Sequence, residues 1–162
     1  MPNDQKQNQA PQENNSFSAV ARHNARRYAL QAMYQWQMAG TSLAELENEF
    51  LNYHVDKKID LEYFKALIHG IPAHRLEIDQ TMESHLGRPL NEIDPIELAV
   101  LRVATFELLK CPEVPYRVII NEALELTKKF GSIEGHKFVN GVLDKVAKNT
   151  RKTEIKMDRR QR

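Results

Sequence analysis

Apolar residues recur along most of this chain three and four positions apart, the spacing of helices with one face turned to a core. No segment alternates convincingly as a strand would. The periodicity predicts helices near residues 18–39, 42–53, 60–69, 72–86, 95–110, 115–130 and 133–148. Gly40, Gly70, Gly87 and Gly131 each follow a periodic run, where a helix-ending glycine in the left-handed conformation is expected. The predicted class is all-α, about seven helices in two packed helical subbundles, with no internal sequence repeat.

The fifth predicted helix has the clearest start, with Asp94 as cap, Pro95 at the first position, Glu97 at the third and Ile93 placed to staple against Leu98. Its apolar residues, from Ile96 through Val100 and Val103 to Leu109, wrap most of the circumference, so it should be central and buried. Val118, Ile119, Ala123, Leu126 and Phe130 of the sixth helix can join the same core. In the last helix Gly141 interrupts an apolar pattern. A glycine inside a helix costs about 1 kcal/mol relative to alanine, which predicts a close helix contact there.

The 162 residues, 41% hydrophobic and 28% charged, suit one domain of ordinary size. Residues 1–16, rich in Asn and Gln, are expected to be a disordered extension, 17–149 the folded domain, and 150–162 a basic disordered tail. No apolar run approaches the roughly 18 residues of a membrane span, and the polar start lacks the apolar stretch of a signal peptide, so a cytoplasmic location is expected. The single cysteine, Cys111, has no partner for an internal disulfide and reads as a chance loop thiol.

The net charge of +1 hides an asymmetry. Residues 22–29 carry Arg22, Arg26 and Arg27 with no acid, residues 148–162 hold seven Lys or Arg against Glu154 and Asp158, and residues 30–147 are net acidic. Basic ends suit a polyanion and an acidic body suits a basic protein, although charge runs are more often plain solvated surface. On the first predicted helix, Ala25, Tyr28, Ala29, Ala32, Met33 and Trp36 fall on one arc, which must face the core, with Arg22 and Arg26 at its edge. His23, Arg27, Leu30 and Tyr34 make a second, basic and aromatic face suited to phosphates, bases or a protein anchor; a solvated amphipathic helix gives the same pattern.

No glycine-rich phosphate loop, HExxH pair or di-iron signature is present, and the six histidines are scattered. His136 and Glu134 sit two apart, on different sides of a helix. No catalytic residue, metal site or cofactor is expected.

Three motifs occur in order: Ala25-Arg26 leading into Ala29-Leu30-Gln31-Ala32-Met33-Tyr34; Glu97 with Leu101-Arg102 and Glu107-Leu108; and Val114-Pro115-Tyr116 through Asn121-Glu122-Ala123 to Lys137-Phe138-Val139-Asn140-Gly141. With them the chain, from about Ala21 to Lys148, resembles the NusB family. The resemblance implies a small fold of two helical subbundles, no catalysis, and a role in processive antitermination of ribosomal RNA transcription. It also implies binding to the boxA element of nascent single-stranded RNA and to NusE, the small-subunit ribosomal protein, within a complex that includes other Nus factors and RNA polymerase.

Carried over residue by residue, the resemblance implies RNA contacts at Arg22, His23, Arg26, Arg27, Arg102 and Phe138. It implies partner contacts at Tyr34, Glu97, Glu134 and Phe138. The chain departs from the family's denser arginine run, with His23 and Asn24 between Arg22 and Ala25. A helical adaptor without specific RNA binding is the main alternative. A NusB-like domain preceding an RNA cytosine methyltransferase is a second, and the short stretch after the last predicted helix is not expected to hold that enzyme's cofactor-binding domain.

Overall fold

A computed structural model describes residues 13–54 and 58–161. Among them eight α-helices form and no strand: α1 Glu13–Ala39, α2 Leu43–His54, α3 Leu61–Ala73, α4 Arg75–Leu86, α5 Pro95–Lys110, α6 Tyr116–Phe130, α7 Ile133–Thr150 and α8 Lys152–Arg160. A short 3-10 turn at Leu90–Glu92 leads into α5. No described helix is long and apolar enough to cross a membrane.

The fold is organised around α5. Asp94 accepts from the amides of Ile96 and Glu97 at 2.9 and 3.1 Å, and Pro95 occupies a first-turn position whose amide would have no helical acceptor. α5 packs against α1 and α3 on one side and against α4, α6 and α7 on the other, so it is shared by two helical groups. Ala99, Val100, Leu101, Val103, Ala104, Phe106 and Leu108 are all buried. Removing a fully buried leucine side chain such as Leu101 from a core of this kind costs about 2–5 kcal/mol.

The predicted core arc of α1 is observed, with Ala25, Tyr28, Ala29, Ala32 and Met33 buried and Trp36 packed partly against the core. On α6, Ile119, Ala123 and Leu126 are buried, whereas Val118 is 41% exposed. Cys111, expected in an open loop, is buried at the end of α5, and that burial pushes its thiol above the ordinary range.

Several boundaries differ from the sequence expectation. Gly40 and Gly87 end their helices at φ +64° and +72°, as predicted, but Gly131 is extended and Gly70 lies inside α3. The reason at Gly70 is packing: a β-carbon there would collide with the Phe106 ring. Gly141 behaves in the opposite way from its prediction. It is exposed, nothing lies where its side chain would be, and the structure offers no account of it.

The expected disordered extension falls largely outside the described residues, and residues 13–16 already belong to α1. The expected disordered tail contains α8. Arg151 holds the α7–α8 junction by donating to the backbone carbonyls of Leu108, Val114 and Cys111 at 2.9 Å and of Glu107 at 3.2 Å. Glu154 and Asp158, one helical turn apart, face the start of α6, where Glu154 accepts from the Tyr116 amide and Asp158 from the Tyr116 hydroxyl and Arg117. A run that reads as solvated charge is thus tied down by partners distant in sequence.

Candidate RNA and partner interface

The arginines in the middle of α1 separate by environment. Arg26 is 3% exposed, and its guanidinium meets both oxygens of the Glu107 carboxylate from Nε at 3.0 Å, with Nη2 at 2.9 Å. Tyr63 donates its hydroxyl to the same carboxylate at 2.5 Å. Burial alone would lower the proton affinity of Arg26, but the Glu107 charge outweighs it and holds the guanidinium above its ordinary value. Burial and the neighbouring Glu107 raise the Tyr63 hydroxyl, which stays a donor. Arg26, expected at the RNA surface, is therefore a core strut.

Arg102 is corrected in the same way. It is 9% exposed, bonds Asp79 through Nε and Nη2 at 3.0 Å each, and donates to Gln37 at 3.0 Å. Two paired and largely buried guanidinium groups are thus removed from the expected phosphate contacts.

Arg22 and Arg27 remain partly open. The Arg22 guanidinium lies 4.7 Å from the Tyr63 ring centre, with Nε a loose 3.6 Å from Asp60. Arg27 lies 5.9 Å from the Tyr28 ring and 6.0 Å from the Phe130 ring, and its Nε has no hydrogen-bond partner among the described residues. Lys129 approaches Phe130 at 5.8 Å, which gives that half-buried ring two cationic neighbours. His23 is tied through Nδ1 to Glu122 at 2.5 Å, which joins the middle of α1 to α6.

The expected partner residues converge nearby. Tyr34 is 38% exposed and, with Leu30, Gln31, Gln35, Ile96 and Phe130, lines an open cavity of about 380 Å³. Ile96 is followed in the chain by Glu97, which is 8% exposed and packed against Gly135 at the start of α7. Burial first, and Asp94 next, raise the proton affinity of Glu97, while the Arg88 charge acts in the opposite direction. Arg88 also lies over the half-buried Phe138 ring, 4.9 Å from its centre, and Glu134 is exposed beside Gly135. One strip thus runs from Arg27 over Phe130 to Tyr34, Ile96 and Glu97, and on to Gly135, Phe138 and Arg88.

Sequence reading missed Phe130, Lys129, Ile96 and Arg88 as members of this strip. Phe130 and Ile96 count as core in a helical pattern, and Lys129 and Arg88 as ordinary surface charge. The signal available was position, since Phe130 ends its helix and Arg88 directly follows the left-handed Gly87. Among the described residues no group of three or more His, Cys, Asp or Glu side chains is placed to hold a metal ion.

Comparison with known proteins supplies the family. Residues 23–148 match the model of the NusB family. A transcription antitermination protein NusB of Legionella pneumophila (strain Corby) is 47% identical over 141 residues, 87% of this chain and 96% of that protein. Its counterpart in Pseudomonas fluorescens (strain Pf-5) is 51% identical over 142 residues, covering 88% and 86%. Among solved structures, antitermination factors NusB and NusE in complex with dsRNA match with a TM-score of 0.74 at 30% identity, over 80% of this chain and 98% of that one. NusB of T. maritima matches at 0.70 and 30% identity, covering 83% and 96%. With the helical fold, the ordered motifs and matches of this length, the chain belongs to the NusB family.

Proposed function

We propose that this protein is a transcription antitermination factor that binds the boxA element of nascent ribosomal RNA transcripts together with NusE and supports processive rRNA transcription, as part of a complex with other Nus factors and RNA polymerase. The observation that carries the reading is the continuity of the strip. At one end of it the cations of Arg27 and Lys129 and the Phe130 ring suit phosphates and stacked bases, and Arg22, on the side of α1 that faces Tyr63, adds a further partly open cation. Directly adjoining them, Tyr34, Glu97, Glu134 and Phe138 offer rings and carboxylates to a basic protein surface. RNA and partner can then occupy neighbouring parts of one face. The role needs binding and no bond-making chemistry.

With Arg26 and Arg102 engaged internally, the protein alone binds RNA weakly. Two arginine contacts to single-stranded RNA give a logarithmic salt slope of about −1.4, at about −0.7 per phosphate. The test is titration of fluorescently labelled boxA RNA and a scrambled RNA, with and without NusE, across a salt series. Sequence-selective binding that tightens with NusE is expected. Equal binding of both RNAs in the presence of NusE would overturn the reading in favour of a protein adaptor.

A further inference from the structure

Glu97 is an unpaired carboxylate at the edge of the core. The residue is 8% exposed, and among the described residues no hydrogen bond or ion pair is made by its side chain, whose carboxylate oxygens still reach solvent. Arg88 and Asp94 are the charged groups that act on it. An unpaired carboxylate held at the edge of the core with its oxygens open to solvent can meet a cation from outside the chain.

Its location is set by α7. Ser132 caps that helix by accepting from the Gly135 amide at 2.9 Å, which fixes the first turn against α5. Gly135 is buried, and the volume a β-carbon would fill there is taken by the Glu97 side chain, with the carboxylate carbon at 2.9 Å and Cγ at 3.2 Å from the ideal β-carbon position. Both distances are shorter than ordinary contacts. Gly135 has negative φ, so its backbone does not require glycine. A β-carbon there would instead oblige the Glu97 carboxylate, whose Oε1 is the atom nearest that position, to move.

We propose that Gly135 is a positioning residue for partner recognition: its missing side chain forms the slot that holds the Glu97 carboxylate at the Tyr34–Phe138 face. This rests on the reading of Glu97 as a contact to NusE. A methyl group at position 135 turns the carboxylate out of the slot and away from its partner's cation, while the helix itself tolerates alanine better than glycine. Glycine at 135 and glutamate at 97 therefore act as one unit.

The experiment is a cycle of Gly135→Ala, Glu97→Gln and the double variant, measured as affinity for purified NusE, with thermal unfolding of each. E97Q is expected to weaken binding about tenfold or more, as loss of a charge at an interface does. G135A should weaken it comparably, and G135A added to E97Q should cost little more. A further variant, Glu97→Asp in the G135A background, shortens the side chain by one carbon, makes room for the methyl group and should recover part of the affinity; it also carries the test if G135A alone fails to fold. Wild-type affinity in G135A, or an equal loss with and without Glu97, overturns the positioning role while leaving Glu97 as a contact. Unchanged affinity in E97Q overturns the contact itself, and the positioning role with it.

Discussion

Arg26 and Glu107, 81 residues apart in sequence, form a buried ion pair in which three donor–acceptor contacts of 2.9–3.0 Å join the first helix to the central one. Tyr63 completes the carboxylate's coordination from α3. Removing one member of such a pair leaves a buried charge alone and costs about 3–5 kcal/mol. Arg26→Gln is therefore expected to lower the urea midpoint sharply. An R26Q protein as stable as wild type but defective in RNA binding would show that Arg26 belongs to the surface after all.

Arg27 gives the contrasting expectation. It stacks near two rings but holds no ion pair in the described structure. Arg27→Ala should leave unfolding nearly unchanged, lower RNA affinity, and flatten the salt slope by about 0.7. Titrations at three or more salt concentrations read both quantities, and an unaltered slope would remove Arg27 from the phosphate contacts.

Glu97 predicts a conflict between stability and binding. Its proton affinity is raised in the folded protein, so the folded state binds this proton more tightly than the unfolded chain does. The ionised group consequently opposes folding at neutral pH, and that opposition is relieved as pH falls through the folded pKa toward the ordinary carboxylate range. Glu97→Gln should be at least as stable as wild type at pH 7, with the advantage shrinking in acid, even as it loses affinity for NusE. Urea unfolding from pH 7 to pH 4 checks the sign, and a variant clearly less stable at pH 7 contradicts it.

Arg151 is expected to control the last helix. Its guanidinium serves four backbone carbonyls and the Glu154 carboxylate, at 2.7 Å. Arg151→Ala leaves those buried acceptors unmet, at about 1–3 kcal/mol for each group that water cannot reach. Amide hydrogen exchange should show protection lost across α8 and at the start of α6. Protection retained in α8 would mean that the Tyr116 amide bond to Glu154 and Ile155, which packs against the core, hold it without the latch.

The helical class, the α5 cap and the core arc of α1 were legible because each rests on local chemistry: a capping aspartate, a first-turn proline, or spacing around one axis. The fates of Arg26 and Arg102 were not, since their acceptors Glu107 and Asp79 lie on other helices and no local pattern reports a distant carboxylate. The same limit hid α8. For glycine the local rule chose the wrong position: the cost of a mid-helix glycine drew notice to Gly141, whereas the close contacts lie at Gly70, against the Phe106 ring, and at Gly135, against the Glu97 side chain near a helix start where the residue looks unremarkable. The strip around Tyr34 was legible through the family resemblance, and its additional rings and cations emerged only from packing.

The central helix also determines how the two binding functions can communicate. Glu97 and Glu107 lie ten residues apart on α5, about 15 Å along a helix rising 1.5 Å per residue. One belongs to the proposed partner face and the other is bolted to the arginine-bearing middle of α1. A platform braced this way has little freedom to reshape one face when the other is filled. Cooperation between protein and RNA ligands then comes from tethering, because a partner docked beside the RNA track presents its own contacts at high effective concentration. Mutual tightening is expected with scarcely any change in the protein's backbone.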